Sequence, residues 1–127
     1  MKKAGQRPVY LNLFQIRLPH GGLLSIVHRL TGVLLVFSIP VFIYTLQLLN
    51  DGADGYTQAL SLLQSFPGKV LSSLIVWVLI QHSLSGVRHL LMDMGFSYDK
   101  NIARKTADAT FLLSLLLTIL TGVLIWR

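Results

Sequence analysis

Three stretches of the chain run without a charged side chain: Leu30 to Leu49, twenty residues, Val70 to Val87, eighteen with His82 neutral, and Ala109 to Trp126, again eighteen. At a rise of about 1.5 Å per residue, each matches or approaches a hydrocarbon core of roughly 30 Å. The pattern predicts three transmembrane helices, over about 23–49, 70–92 and 106–126, in a single domain spanning 1–127. The fold class expected is therefore an all-α integral membrane protein. Between the spans, "NDGADGYTQALSLLQSFPGK" and "MGFSYDKNIARKTAD" read as polar connectors. The first is predicted to hold a short surface helix from Tyr56 to Phe66, ahead of a Pro67–Gly68 stop. No repeat or low-complexity tract is visible.

Composition agrees with the pattern. Hydrophobic residues make up 53% of the chain and its mean hydropathy is +0.63, above what a soluble domain usually carries. With no cysteine, the chain offers no disulfide, no thiolate-ligated cluster and no c-type haem attachment, which leaves histidine as the one strong soft-metal ligand.

The formal net charge of +6 is explained by position rather than by an acidic or nucleic-acid partner. Lys2, Lys3, Arg7, Arg17 and Arg29 precede or open the first span, and Arg88, Lys100, Arg104 and Lys105 lie at or after the end of the second. The other side has only Lys69 and Arg127, with Asp51 and Asp54 beside them. The excess of basic residues places the N-terminus in the cytoplasm. The stretch "MKKAGQRPVYLNLFQIRLP" has no apolar run leading to a small-residue cleavage site, so it reads as neither signal peptide nor transit peptide.

Polar groups cluster at the cytoplasmic edge of the first span. Pro19 and Gly21–Gly22 predict a tight turn into a helix that starts near Leu23, with Ser25, His28 and Arg29 in its first two turns and crowded on one side. Arg29 alone fits an interfacial anchor whose head snorkels to lipid headgroups, whereas the three together beside two glycines fit a small polar pocket. Pro40 predicts a kink in mid-span.

In the second span His82, Gly86, His89 and Asp93 fall at i, i+4, i+7 and i+11, one stripe down one helix face. His82 lies about 9 Å deeper than Arg88 at 1.5 Å per residue, well inside the membrane. An ionisable residue at that depth is a functional candidate, and equally a neutral imidazole hydrogen-bonded to a neighbouring helix. Gly86, one turn on, opens a flat slot that suits either a wide planar ring or close helix packing. His82 and His89 share one side of one helix and cannot take opposite faces of one iron. The pattern thus admits one haem at most, with its second ligand from another chain.

Two segments, "RPVYLNLFQIRLPHGGLLSIVHRLTGV" and "HSLSGVRHLLMDMG", resemble the cytochrome b membrane-anchor subunit of succinate dehydrogenase, respiratory complex II. The motif positions are Arg7–Pro8, then Ser25, His28, Arg29, Thr31 and Gly32, then His82, Gly86, Arg88, His89 and Asp93. The resemblance implies a three-helix anchor that joins a second anchor subunit in a larger bundle. It implies His82 as axial ligand of haem b, opposite a histidine of that second anchor, with His28 and Arg29 near the haem propionates and Gly86 beside the ring. Ser25 and Arg29 are implied to line the ubiquinone site. The roles of Arg88, His89 and Asp93 stay open, between structural contacts and contacts with propionates, protons or soluble subunits.

The chemistry asks for these residue types. Reducing a quinone takes two electrons and two protons by way of an anionic one-electron stage, so a hydrogen-bond donor and a fixed positive charge belong at its carbonyl oxygens. Ser25 supplies the donor and Arg29 the charge. The chain has no nucleotide-binding glycine fingerprint and no cysteine for clusters, so succinate oxidation is expected in partner flavoprotein and iron–sulfur subunits that hold FAD and the clusters. Also weighed are a fumarate reductase-type anchor and a non-enzymatic three-helix scaffold. The expected location is the bacterial inner membrane.

Overall fold

The computed structural model describes residues 20–96 and 99–127. The Arg7–Pro8 lead and the basic residues Lys2, Lys3, Arg7 and Arg17 lie outside them. Among the described residues the chain is entirely helical: α1 (His20–Asn50), α2 (Gly52–Gln64), α3 (Phe66–Asp93) and α4 (Lys100–Trp126). Of these, α1, α3 and α4 are long and apolar enough to cross a membrane. α3 is the central element, packed on both α1 and α4, and α2 lies across the far ends of α1 and α3.

Apart from Leu24 and Leu48, the interior is built of small and polar residues, while most of the large apolar ones point outward. Thr31, Val78, Gln81, Ser85, Arg88, Ala107 and Ser114 are buried, whereas Phe37 and Leu124 are 71% and 72% exposed. That inversion suits lipid, which solvates Leu and Phe as well as a protein core does, so that close approach through small residues drives helix association. Gln81 Nε2 donates to Ser85 Oγ at 2.9 Å one turn along α3. Gln81 Oε1 and Trp77 Nε1 are buried without a partner.

All three spans exceed the apolar runs, because hydropathy marks the hydrocarbon crossing and not the helix. α1 already includes Gly21 and Gly22, which stand inside its first turn rather than ahead of it. It continues through Pro40 to Asn50. The expected Pro67–Gly68 stop is instead the start of α3. Ser65 caps that helix by accepting from the Gly68 amide at 3.1 Å, and proline stands in the first turn, where its missing N–H costs nothing. The surface helix accordingly runs from Gly52 to Gln64, earlier than Tyr56–Phe66.

α4 begins six residues before the expected 106, at Lys100. The Asp99 carboxylate accepts from the amides of Asn101 at 2.7 Å and Ile102 at 3.2 Å, which satisfies two of the orphan donors at a helix start. α3 ends in a double-bonded turn, with Gly95 N–H to Met92 O and Phe96 N–H to Leu91 O, both at 3.0 Å. Gly95 holds the left-handed conformation this turn requires, φ 94°.

Candidate functional site

The start of α1 and the end of α3 run antiparallel and bring three histidines together. The rings of His28 and His82 are stacked, with centroids 4.3 Å apart and planes 10° from parallel. His89, two turns beyond His82, is tilted 53° against His28 at 5.1 Å. A helix placing residues i and i+7 on one face delivers both α3 imidazoles to the same α1 partner.

Glycines make that approach possible. A Cβ at Gly32 would stand 3.0 Å from His82 Cε1, and one at Gly86 would stand 3.5 Å from His28 Nε2. Each histidine therefore lies over the glycine of the opposite helix. The open face of Gly86 receives His28, and the tighter of the two contacts belongs to Gly32.

The orientation of His82 is fixed by its Nδ1, which lies 3.1 Å from the carbonyl oxygen of His28. A carbonyl only accepts, so Nδ1 carries the proton, and in the neutral ring the lone pair is on Nε2. Thr31 Oγ1, 3.3 Å from the same nitrogen, is tied back to the carbonyls of Val27 and His28 at 2.9 Å each. Its single proton is spent there, and its oxygen faces His82 as a second acceptor. A histidine that donates through one ring nitrogen and offers the other as a lone pair is the form a metal takes up. Among the described residues no three His, Asp or Glu side chains converge as a metal site by themselves. The donor chemistry of His82 fits a haem-type group to which this chain gives a single ligand.

The remaining sequence candidates separate in space. Ser25 is half-buried and Arg29 exposed on the flank of the same α1 turns. Among the described residues neither has a hydrogen-bond partner, so both polar heads are available to a ligand. Arg88 is buried on another side of α3, donating from Nε to Thr106 Oγ1 at 3.2 Å and from Nη2 to Ala103 O at 2.9 Å. Asp93 is exposed at the end of α3.

Sequence reasoning noted Thr31 and Gly32 only as motif members and missed their structural part. The signal was present. "HRLTG" at 28–32 and "HSLSG" at 82–86 are the same pattern, histidine, two residues, a hydroxyl and a glycine. The two patterns stand on antiparallel helices, and each histidine lies over the glycine of the other.

Three helices long and apolar enough to cross a membrane, with stacked histidines between two of them, define the class as a small helical membrane protein. Residues 3–121 match the family described as succinate dehydrogenase/fumarate reductase transmembrane subunit, and the chain belongs to that family. Among curated proteins it is similar to the succinate dehydrogenase cytochrome b556 subunit of Coxiella burnetii, 33% identical with 95% of this chain and 98% of the relative covered. Similarity to the cytochrome b556 subunit of Paracoccus denitrificans is 31%, over 92% and 90% of the two chains. It extends to the mitochondrial cytochrome b560 subunit of Mus musculus, 31% identical over 72% of this chain and 56% of the relative.

Proposed function

We propose that this chain is an electron-transfer anchor of succinate:quinone oxidoreductase, which shares haem b with a second anchor subunit and forms part of the ubiquinone-reducing site. The observation that carries the proposal is the His82 Nδ1 contact with His28 O, which leaves Nε2 as a free ligand atom pointing away from its own backbone tether. Family membership and relatives named as cytochrome b subunits support the reading.

In this reading His82 Nε2 would hold the haem iron, together with a histidine of the second anchor. Gly86, having no side chain of its own, lets His28 lie against α3 one turn from His82. His28 and Arg29 lie one helical turn or less from Thr31, the residue facing His82, and take the propionate end. Haem b with two histidine ligands supplies one-electron redox chemistry and leaves no open position for oxygen. Ser25 donates to a quinone carbonyl oxygen, and the exposed guanidinium of Arg29 stabilises the negative charge that develops there. At a membrane edge, the quinone head reaches water-borne protons while its tail stays in lipid.

FAD and iron–sulfur clusters belong to the flavoprotein and iron–sulfur subunits, which dock on the basic face of the bundle. In this reading that face, by its excess of basic residues, lies on the cytoplasmic side of a bacterial inner membrane.

The test is a dithionite-reduced minus oxidised visible spectrum of the complex purified through this chain. Wild type is expected to show b-type bands that His82→Leu shifts or removes. Copurification of the soluble subunits without any haem in wild type rejects the haem reading.

A further inference from the structure

Arg88 stands apart from the histidine cluster. Six positions beyond His82 at about 100° per residue, it is turned roughly 120° round α3, where both its acceptors, Thr106 Oγ1 and Ala103 O, belong to α4. The first turn of α1 closes over it, since a Cβ at Gly21 would lie 3.8 Å from Arg88 Nη2. The residue is only 6% exposed. Its two acceptors are neutral, and among the described residues no carboxylate pairs with it. A guanidinium carries five N–H donors and a permanent charge, and such a charge buried in a membrane bundle calls for an anion.

Arg88 and Thr106 border a groove of about 410 Å³ between α3 and α4. Its other walls include Leu84, Val87, Leu91, Ala109 and Leu113, an apolar trough between the two helices. Lys100, Arg104 and Lys105, in the first two turns of α4, add positive charge at the same end.

We propose that this groove is a binding site for one anionic phospholipid, with an acyl chain along Leu84, Val87 and Leu113 and the phosphate accepting from the Arg88 guanidinium. Charge selects the class. An anionic lipid balances Arg88 and the basic start of α4, a zwitterionic one adds no net charge, and inorganic phosphate leaves the apolar trough empty.

The test uses the full chain with its copurifying subunits, extracted in mild detergent and analysed by native mass spectrometry. Phosphatidylglycerol and phosphatidylcholine of identical acyl chains are added in parallel, with inorganic phosphate as a third arm in a thermal-shift series. Wild type is expected to retain one phosphatidylglycerol per chain with at least a tenfold preference over phosphatidylcholine, and to gain no stability from inorganic phosphate. Arg88→Gln is expected to lose the preference. Ala109→Trp, which fills the trough and leaves Arg88 in place, is expected to lower phosphatidylglycerol retention as far, and decides the matter alone if Arg88→Gln does not fold. Equal retention of the two lipids, unchanged retention in Ala109→Trp, or equal stabilisation by inorganic phosphate overturns the proposal.

Discussion

His82 lies over Gly32 with so little clearance that a methyl group there would approach Cε1 of the imidazole to 3.0 Å. The ring is already held by its Nδ1 contact with the His28 carbonyl, so a methyl at position 32 forces a choice between the hydrogen bond and the packing. Gly32→Ala is expected to lower the haem content of the purified complex several-fold, read from the reduced-minus-oxidised spectrum. Gly86→Ala meets His28 Nε2 at 3.5 Å, an ordinary contact, and is expected to stay near wild type. The reverse order of severity removes the assigned role of Gly32.

Thr31 offers a milder perturbation of the same ring. Thr31→Val keeps the shape and removes the oxygen 3.3 Å from His82 Nδ1, while the His28 carbonyl still fixes the tautomer. A loss of about 1 kcal/mol in unfolding stability is expected, with haem retained, and thermal unfolding followed at the haem absorbance measures both. Haem loss as complete as in His82→Leu shows that Thr31, not the carbonyl, orients the ring.

Arg29 is exposed and without a partner among the described residues, so its removal costs little in packing. Arg29→Leu is expected to abolish ubiquinone reduction while succinate oxidation by an artificial acceptor continues. Arg29→Lys restores part of the activity, since charge returns without the planar fork. Quinone turnover that survives in Arg29→Leu assigns the residue to anchoring instead.

Substitutions at two positions probe the bundle away from the site. Asp99→Ala removes the cap at the start of α4 and is expected to cost about 1 kcal/mol, with Asp99→Asn recovering most of it. Ser114, wholly buried on α4, keeps the helices close, and Ser114→Leu is expected to cost about 1–3 kcal/mol by overpacking. Thermal unfolding in detergent measures both, and a Ser114→Leu protein as stable as wild type shows that the helices have room to part.

Three uncharged runs made the three crossings legible, because nothing but length and the absence of charge is needed to see them. The helix ends were harder to see. They depend on local hydrogen bonds at Ser65 and Asp99 that carry α3 and α4 beyond the hydrocarbon, where hydropathy has nothing to report. The stripe of His82, Gly86 and His89 was legible from helical periodicity, and the structure brings all three against His28. Which glycine is the tighter was not, since spacing along one helix says nothing about the ring arriving from the other. Arg88 reads in sequence as one more basic residue at a membrane edge. Its burial against α4 depends on helix rotation, which charge counting does not fix.

The far end of the molecule bears on all of this. A Cβ on Gly55 would collide with the Leu48 carbonyl, and one on Gly68 with the Leu62 carbonyl, so α2 is seated backbone to backbone at both of its junctions. The hairpin has no slack there. Like tongs fixed at the pivot, α1 and α3 have their spacing set by the closed end, and whatever relative movement the two arms retain is greatest at the open end, among the histidines. Lengthening the α2 segment by even a few residues would therefore be felt far along both arms, as a change in how firmly His28 and His82 are held against each other.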